Sequence, residues 1–150
     1  MPSACCGERL YQAALAERAM LRYALDTNIV SYYMRREGAV VGRVQALAPQ
    51  QIILPSLVIY EITYGLRRAG RAQSLAGFDR MVQAAMVIDF DAEAADHAAD
   101  IRLALEARGT PIGQPDLFIA ATARRHGCTL VTHNTREFAR VPDLLIEDWY

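Results

Sequence analysis

Apolar residues occur along this chain in short runs that alternate with longer, helically spaced stretches. The run that organises the others is Tyr23-Ala24-Leu25, too short for a helix, which leads directly into Asp26-Thr27-Asn28 and an amphipathic segment over 29–36. This order predicts a buried strand, a carboxylate at its end and a helix starting at once. Met20 would begin the strand. A second helix is expected over 40–48, stopped by Pro49, and a buried strand over 51–54. Pro55-Ser56 then turns into a third helix, 57–68, with Ser56 as expected N-cap and Gly70 as stop. The segment 72–85 carries Leu75, Phe78, Val82 and Ala85 on one side, and 86–90 has the apolar, β-branched character of a strand. A long alanine-rich helix is expected over 91–108, closed by Gly109, and a further one over 116–126, ended by Gly127. Strands over 128–132 and 144–147 complete the pattern.

Strands separated each time by one or two helices pair in parallel through right-handed crossovers. The expected class is therefore α/β, a central parallel sheet with helices on both faces. With 150 residues the chain can bury one sizeable core and not two, so 22–150 reads as a single domain behind an N-terminal extension, 1–21. Within that extension Leu10, Ala13, Ala14 and Leu15 lie among polar residues, which fits either a short helix or a poorly ordered tail.

Composition narrows the class. A chain that is 53% hydrophobic and 22% charged, with a net charge of −1, is that of a soluble globular protein. The apolar stretch 52–60 is broken by Pro55 and Ser56 and is shorter than the roughly 20 residues of a membrane span. Glu8, Arg9, Glu17 and Arg18 stand where a signal peptide would be apolar, so a cytoplasmic location is expected. Cys5 and Cys6 are adjacent in the extension and Cys128 opens an apolar strand, which gives neither a disulfide framework nor a zinc spacing. His97, His126 and His133 lack metal-ligand spacing as well. Asp89, Asp91, Asp96 and Asp100 read as an N-cap and a solvated face, and no glycine-rich phosphate-binding motif is present. All 16 basic residues are arginine, whose planar multi-donor group suits phosphate.

The chemistry lies in carboxylates that the topology brings to one sheet edge. Asp26 ends the first strand; on its own it reads as well as an N-cap. Glu61 has Leu57, Val58, Tyr64 and Gly65 as its helical neighbours, poor company for a solvated acid, although a pair with Arg67 or Arg68 would explain it. Asp116 follows Pro115 in the first turn of its helix, where complementing the helix dipole is the plain alternative. Thr132, His133 and Asn134 close the fourth strand at the same edge, with Glu137 just beyond. Acids gathered this way raise one another's pKa unless a cation neutralises them. Oxygen ligands without histidine or thiolate suit Mg²⁺ or Mn²⁺, and such sites activate water against phosphodiesters.

These residues resemble a known family. Leu25-Asp26-Thr27-Asn28, Tyr60-Glu61-Ile62 with Gly65-Leu66, Pro111-Ile112-Gly113 with Asp116 and Ile119-Ala120-Ala121, Leu130-Val131-Thr132 and Asn134-Thr135-Arg136-Glu137-Phe138 together are similar to a PIN domain, nearest to the VapC toxins of bacterial toxin-antitoxin modules. The resemblance runs from about residue 22 to Trp149. It implies a three-layer PIN-like sandwich and a metal-dependent endoribonuclease that arrests translation by cutting RNA, held inactive by a cognate antitoxin. It also implies a homodimer, and products with 5′-phosphate and 3′-hydroxyl ends. By position, Asp26, Glu61 and Asp116 match the family's principal metal-binding acids. A further acid is often found where this chain has Asn134, and Glu137 is the residue that would compensate. Thr27, Asn28 and Thr132 are expected to support the site, and Arg35, Arg36, Arg67, Arg68, Arg136 and Arg140 to hold the RNA backbone. Two alternatives stay open at this point. One is a catalytically silent PIN-like module that binds RNA or protein. The other makes Asp26 a phosphoryl-accepting nucleophile, and it lacks both a second aspartate two residues on and any lysine.

Overall fold

The computed structural model describes residues 4–150; residues 1–3 of the expected extension, and the Cys5 and Cys6 side chains, lie outside the described residues. Five parallel strands form the sheet: β1 (Tyr23–Leu25), β2 (Ile52–Pro55), β3 (Met86–Ile88), β4 (Thr129–Val131) and β5 (Ile146–Glu147), in the order β3-β2-β1-β4-β5. Helices α2 (Thr27–Arg35) and α3 (Val40–Gln45) join β1 to β2, and α4 (Ser56–Arg68) and α5 (Ala72–Ala84) join β2 to β3. The return across the sheet runs through α6 (Ala92–Ala107) and α7 (Gln114–Arg125), and α8 (Thr135–Phe138) precedes β5. The chain moves outward from β1 through β2 to β3, then back past β1 to β4 and β5. Right-handed crossovers put helices on opposite faces when that direction reverses. The result is a doubly covered sheet with its switch point between β1 and β4, where open α/β sheets bind ligands.

The strands are short because their buried runs are short. Ala24, Leu25, Ile53, Leu54, Leu130 and Val131 are all 0% exposed, and Phe78, Phe138, Ile101 and Ile119 close over them from the helices. In α7, Leu117, Ile119, Ala120, Ala121, Thr122 and Ala123 are buried, and the small alanines bring that helix close to the sheet and to α6.

Several boundaries differ from the sequence expectation. Met20 ends a helix, α1 (Ala4–Met20), so β1 starts only at Tyr23. The described side chains of 7–18 in α1 are all exposed, and Gln51 ties its end down by donating to the carbonyls of Arg18 and Leu21. Apolar residues that face solvent all round give the described part of α1 no inward side, so the pattern there could not discriminate. Ser56 does not cap α4: Pro55 is the N-cap, and no side chain bonds the orphan amides. β3 is an edge strand, which explains why Met86 and Val87 are exposed despite their strand-like character. Asp91 caps α6 as expected, accepting from the amide of Ala94 at 2.8 Å.

One turn has an energetic signature. Gly38 has φ +62°, and a β-carbon built there would stand 3.2 Å from Cδ2 of Tyr150. Gly38→Ala should therefore lower unfolding stability by about 1–2 kcal/mol, read as a lower urea midpoint at unchanged slope.

Candidate active site

Asp26 continues the β1–β4 ladder by donating its amide to the carbonyl of Val131 at 2.9 Å, then turns the chain into α2 as its N-cap. One carboxylate oxygen, Oδ1, accepts from the amide of Thr27 at 2.7 Å, and Oδ2 accepts from the hydroxyl of Thr132 at 2.7 Å. The capping role and the site role thus coincide in one residue. Asp26 is only 4% exposed, and both of these partners are neutral. Burial pushes its carboxyl up to about 6, against the two hydrogen bonds, and the charges of Asp116 and Glu61 add to the rise.

Glu61 reaches this centre from the second turn of α4. The hydroxyl of Thr27 donates to its Oε2, so its hydrogen bond is to the residue beside Asp26 rather than to Arg67 or Arg68. Asp116 is half-buried in the first turn of α7, where Pro115 sets the entry into the helix. Its carboxyl is also held above the usual range, first by burial and then by the charges of Glu137 and Glu61. Four acids from four elements therefore share one field, and the fourth is Glu137 of α8. Asn134 is the N-cap of α8; its side chain makes no capping bond, and its amide donates to the Thr132 hydroxyl at 3.0 Å. Asn28 Oδ1 accepts from the amide of His133 at 3.1 Å. Thr132 and Asn28 thereby pin the 132–134 loop against the end of β1.

Among the described residues, no three His, Cys, Asp or Glu side chains are gathered tightly enough to enclose a metal ion as they stand. The donors nonetheless suit a hard cation. All are oxygens, two have pKa values raised by burial and mutual repulsion, and Mg²⁺ binds through one or two carboxylates while keeping several waters.

A groove of about 820 Å³ opens from Thr27 and Glu61 and runs between α2, α3, α4 and α5. Arg35 and Arg36 line it, together with Arg71 and Arg80, which the sequence reading did not single out. A signal for this face exists in α5: Ser74 and Gly77 leave it too small to be core beside Phe78. Arg67, Arg68 and Arg136 stand on exposed surface outside this lining, and Arg140 donates to the carbonyl of Pro111 at 3.4 Å, in the loop before Asp116. Arg35 pairs with Glu37 at 2.8 Å, which offsets part of its charge.

The PIN domain family model matches residues 23–144. The tRNA(fMet)-specific endonuclease VapC of Shigella flexneri is 37% identical over 131 residues, covering 87% of this chain and 99% of that protein. Ribonuclease VapC2 of Rickettsia felis is 34% identical over 130 residues, covering 85% and 97%. Among solved structures, VapBC2 from Rickettsia felis bound to a DNA fragment from their promoter superimposes with a TM-score of 0.80 at 32% identity, covering 87% of this chain and 100% of that one. DNA-bound VapBC from Salmonella typhimurium gives 0.81 at 32% identity, with the same coverage. With this match over most of its length and the parallel sheet to go with it, the chain belongs to the PIN domain family, in its VapC group.

Proposed function

We propose that this protein is an Mg²⁺-dependent endoribonuclease toxin that cuts RNA to inhibit translation and is restrained by a cognate antitoxin. The observation that carries the reading is Asp26: a buried acid at the switch point of the sheet, hydrogen-bonded to two neutral donors and repelled by Asp116 and Glu61. Acids perturbed by burial together with specific charge partners cluster at functional sites. Asp26, Glu61 and Asp116 would hold the ion, with Glu137 standing in for the acid absent at Asn134. Mn²⁺ should substitute for Mg²⁺. When bound, the ion supplies activation of water and neutralisation of charge on the phosphate.

The chain's own residues do the rest. Thr27 bridges the ends of Asp26 and Glu61, and Thr132 fixes the orientation of Asp26. Arg36, Arg71 and Arg80 line the groove that leads away from the acids and would hold the RNA backbone there. The relatives named ribonuclease and the VapBC structures support both the substrate class and the antitoxin. Tyr60 and Tyr64, exposed and stacked with ring centroids 6.3 Å apart, are the surface on which a homodimer would form. No helix among the described residues is long and apolar enough to cross a membrane, in keeping with a cytoplasmic site of action.

The test is incubation with initiator tRNA, the substrate named for the Shigella relative, with Mg²⁺ and with EDTA. Cleavage to 5′-phosphate and 3′-hydroxyl ends in Mg²⁺ alone is expected; cleavage that survives EDTA would refute the reading. The rate should also fall steeply as salt rises, because the groove arginines release counterions from the RNA. A log–log plot of kcat/KM against salt checks this, and Arg71→Ala and Arg80→Ala should each flatten its slope. The amide at Asn134, where a further acid is often found, and the loose packing of the acids among the described residues favour a binding module without turnover. Calorimetric titration with Mn²⁺ separates the two, since such a module should take up no ion.

A further inference from the structure

Beside the acids lies a cluster of rings that the proposed chemistry does not use. Tyr150 packs against Tyr32 with centroids 4.5 Å apart and against His133 at 4.6 Å, and Tyr32 meets His133 edge-on at 5.8 Å. The three rings are fixed from behind. Asp148 accepts from the amide of Tyr150 at 3.0 Å through Oδ1, and its Oδ2 lies 2.9 Å from Nδ1 of His133. Gly38 leaves room for the Tyr150 ring against its backbone, as a β-carbon there would not. Despite this anchoring, Tyr150 stays 55% exposed and the His133 side chain 44% exposed. Aromatic side chains held in place yet open to solvent can serve as a platform on which unpaired bases stack.

Its position indicates which ring. His133 lies between Thr132, which holds Asp26, and Asn134, and its amide is bonded to Asn28, two residues after Asp26. The platform is therefore continuous with the catalytic edge. Arg35 extends it, with its guanidinium 5.4 Å from the centre of the Tyr32 ring. We infer that Tyr150 and His133, backed by Tyr32, form a nucleobase-stacking subsite that seats an unpaired base of the RNA next to the phosphodiester to be cut, and so help to choose the cleavage position. The inference rests on the ribonuclease reading for its substrate. Stacking is tolerant of base identity, so the subsite would demand an unpaired, unstacked nucleotide more than a particular sequence.

The test uses the full chain in EDTA with single-stranded oligoribonucleotides carrying one 2-aminopurine at successive positions. Wild type and Tyr150→Phe should quench the fluorescence at one position, whereas Tyr150→Leu should not. Leucine keeps the apolar contact with Gly38 but offers no π-face, and a melting curve like that of wild type would certify its fold. Binding by Tyr150→Leu should be weaker by roughly tenfold. In Mg²⁺ that variant should show a higher KM, a kcat near that of wild type and a displaced cut site, and His133→Ala should show a smaller version of the same change. If Tyr150→Leu binds, quenches and cuts like wild type, the subsite is refuted while the nuclease reading stands. If wild type quenches but never cuts in Mg²⁺, base stacking at this place stands, while the nuclease reading falls and takes with it the role in choosing a cleavage position. If Tyr150→Leu leaves RNA binding intact and loses only a protein partner, the platform is a protein-docking face and the inference is overturned.

Discussion

Asp26→Asn is expected to abolish RNA cleavage, by on the order of a thousandfold or more, and at the same time to make the metal-free protein more stable. The second effect follows from burial. Burial raises the carboxyl of Asp26 from the 3.8 of a free aspartate to about 6, so the folded state favours the protonated acid. That preference contributes stability fully below the unfolded pKa, and the contribution is lost as pH rises through the folded one. By pH 7 the metal-free protein carries a buried charge that costs about 3 kcal/mol relative to acid conditions. Asparagine removes the charge and keeps a side-chain oxygen for the amide of Thr27. Thermal melts in EDTA should show the variant several degrees higher than wild type at pH 7.5, with the gap closing by about pH 4. Mn²⁺ should raise the melting temperature of wild type at pH 7.5, do so far less at pH 5, and leave the variant unmoved. A variant that is inactive and also less stable at pH 7.5 would mean that Asp26 is chiefly a structural cap.

Thr132→Val should be the most damaging change outside the acids. The hydroxyl is completely buried; it donates to Asp26 Oδ2 and accepts from the amide of Asn134. Valine matches its shape but leaves the carboxylate and the amide without that partner, at a cost of about 1–3 kcal/mol in stability. Losing the donor also removes the main influence that lowers the carboxyl of Asp26, so its pKa should rise further. Cleavage should fall about 10- to 100-fold at neutral pH. The acid limb of the pH–rate profile should move to higher pH, and Thr132→Ser should restore both. A uniform loss of rate with an unmoved profile would assign Thr132 to packing alone.

These two residues also mark how far the sequence could be read. The positions of Asp26, Glu61 and Asp116 at one sheet edge followed from hydrophobic periodicity and the parallel topology it implies, because Asp26 ends a strand and the other two lie in the first two turns of helices that start at that edge. Glu137 was legible only as a neighbour of Asn134; that its charge reaches Asp116 depends on α8, four residues long and too short for periodicity to reveal. Arg71 and Arg80 escaped notice because a groove wall is made by the spacing between helices, which no one segment encodes. Helix α1 reads equally as helix or tail for a related reason: its described side chains have no inward face and so leave no apolar stripe. The tie between Thr27 and Glu61 joins residues 34 positions apart, beyond any local pattern.

The convergence of Asp26, Glu61 and Asp116 on one divalent ion is tested most directly by anomalous diffraction from a crystal soaked in Mn²⁺. A single manganese peak within coordinating distance of those three side chains is expected, with Glu137 close by and no peak in Asp26→Asn crystals. Manganese bound elsewhere, or none at all beside three acids that stay apart, would contradict it.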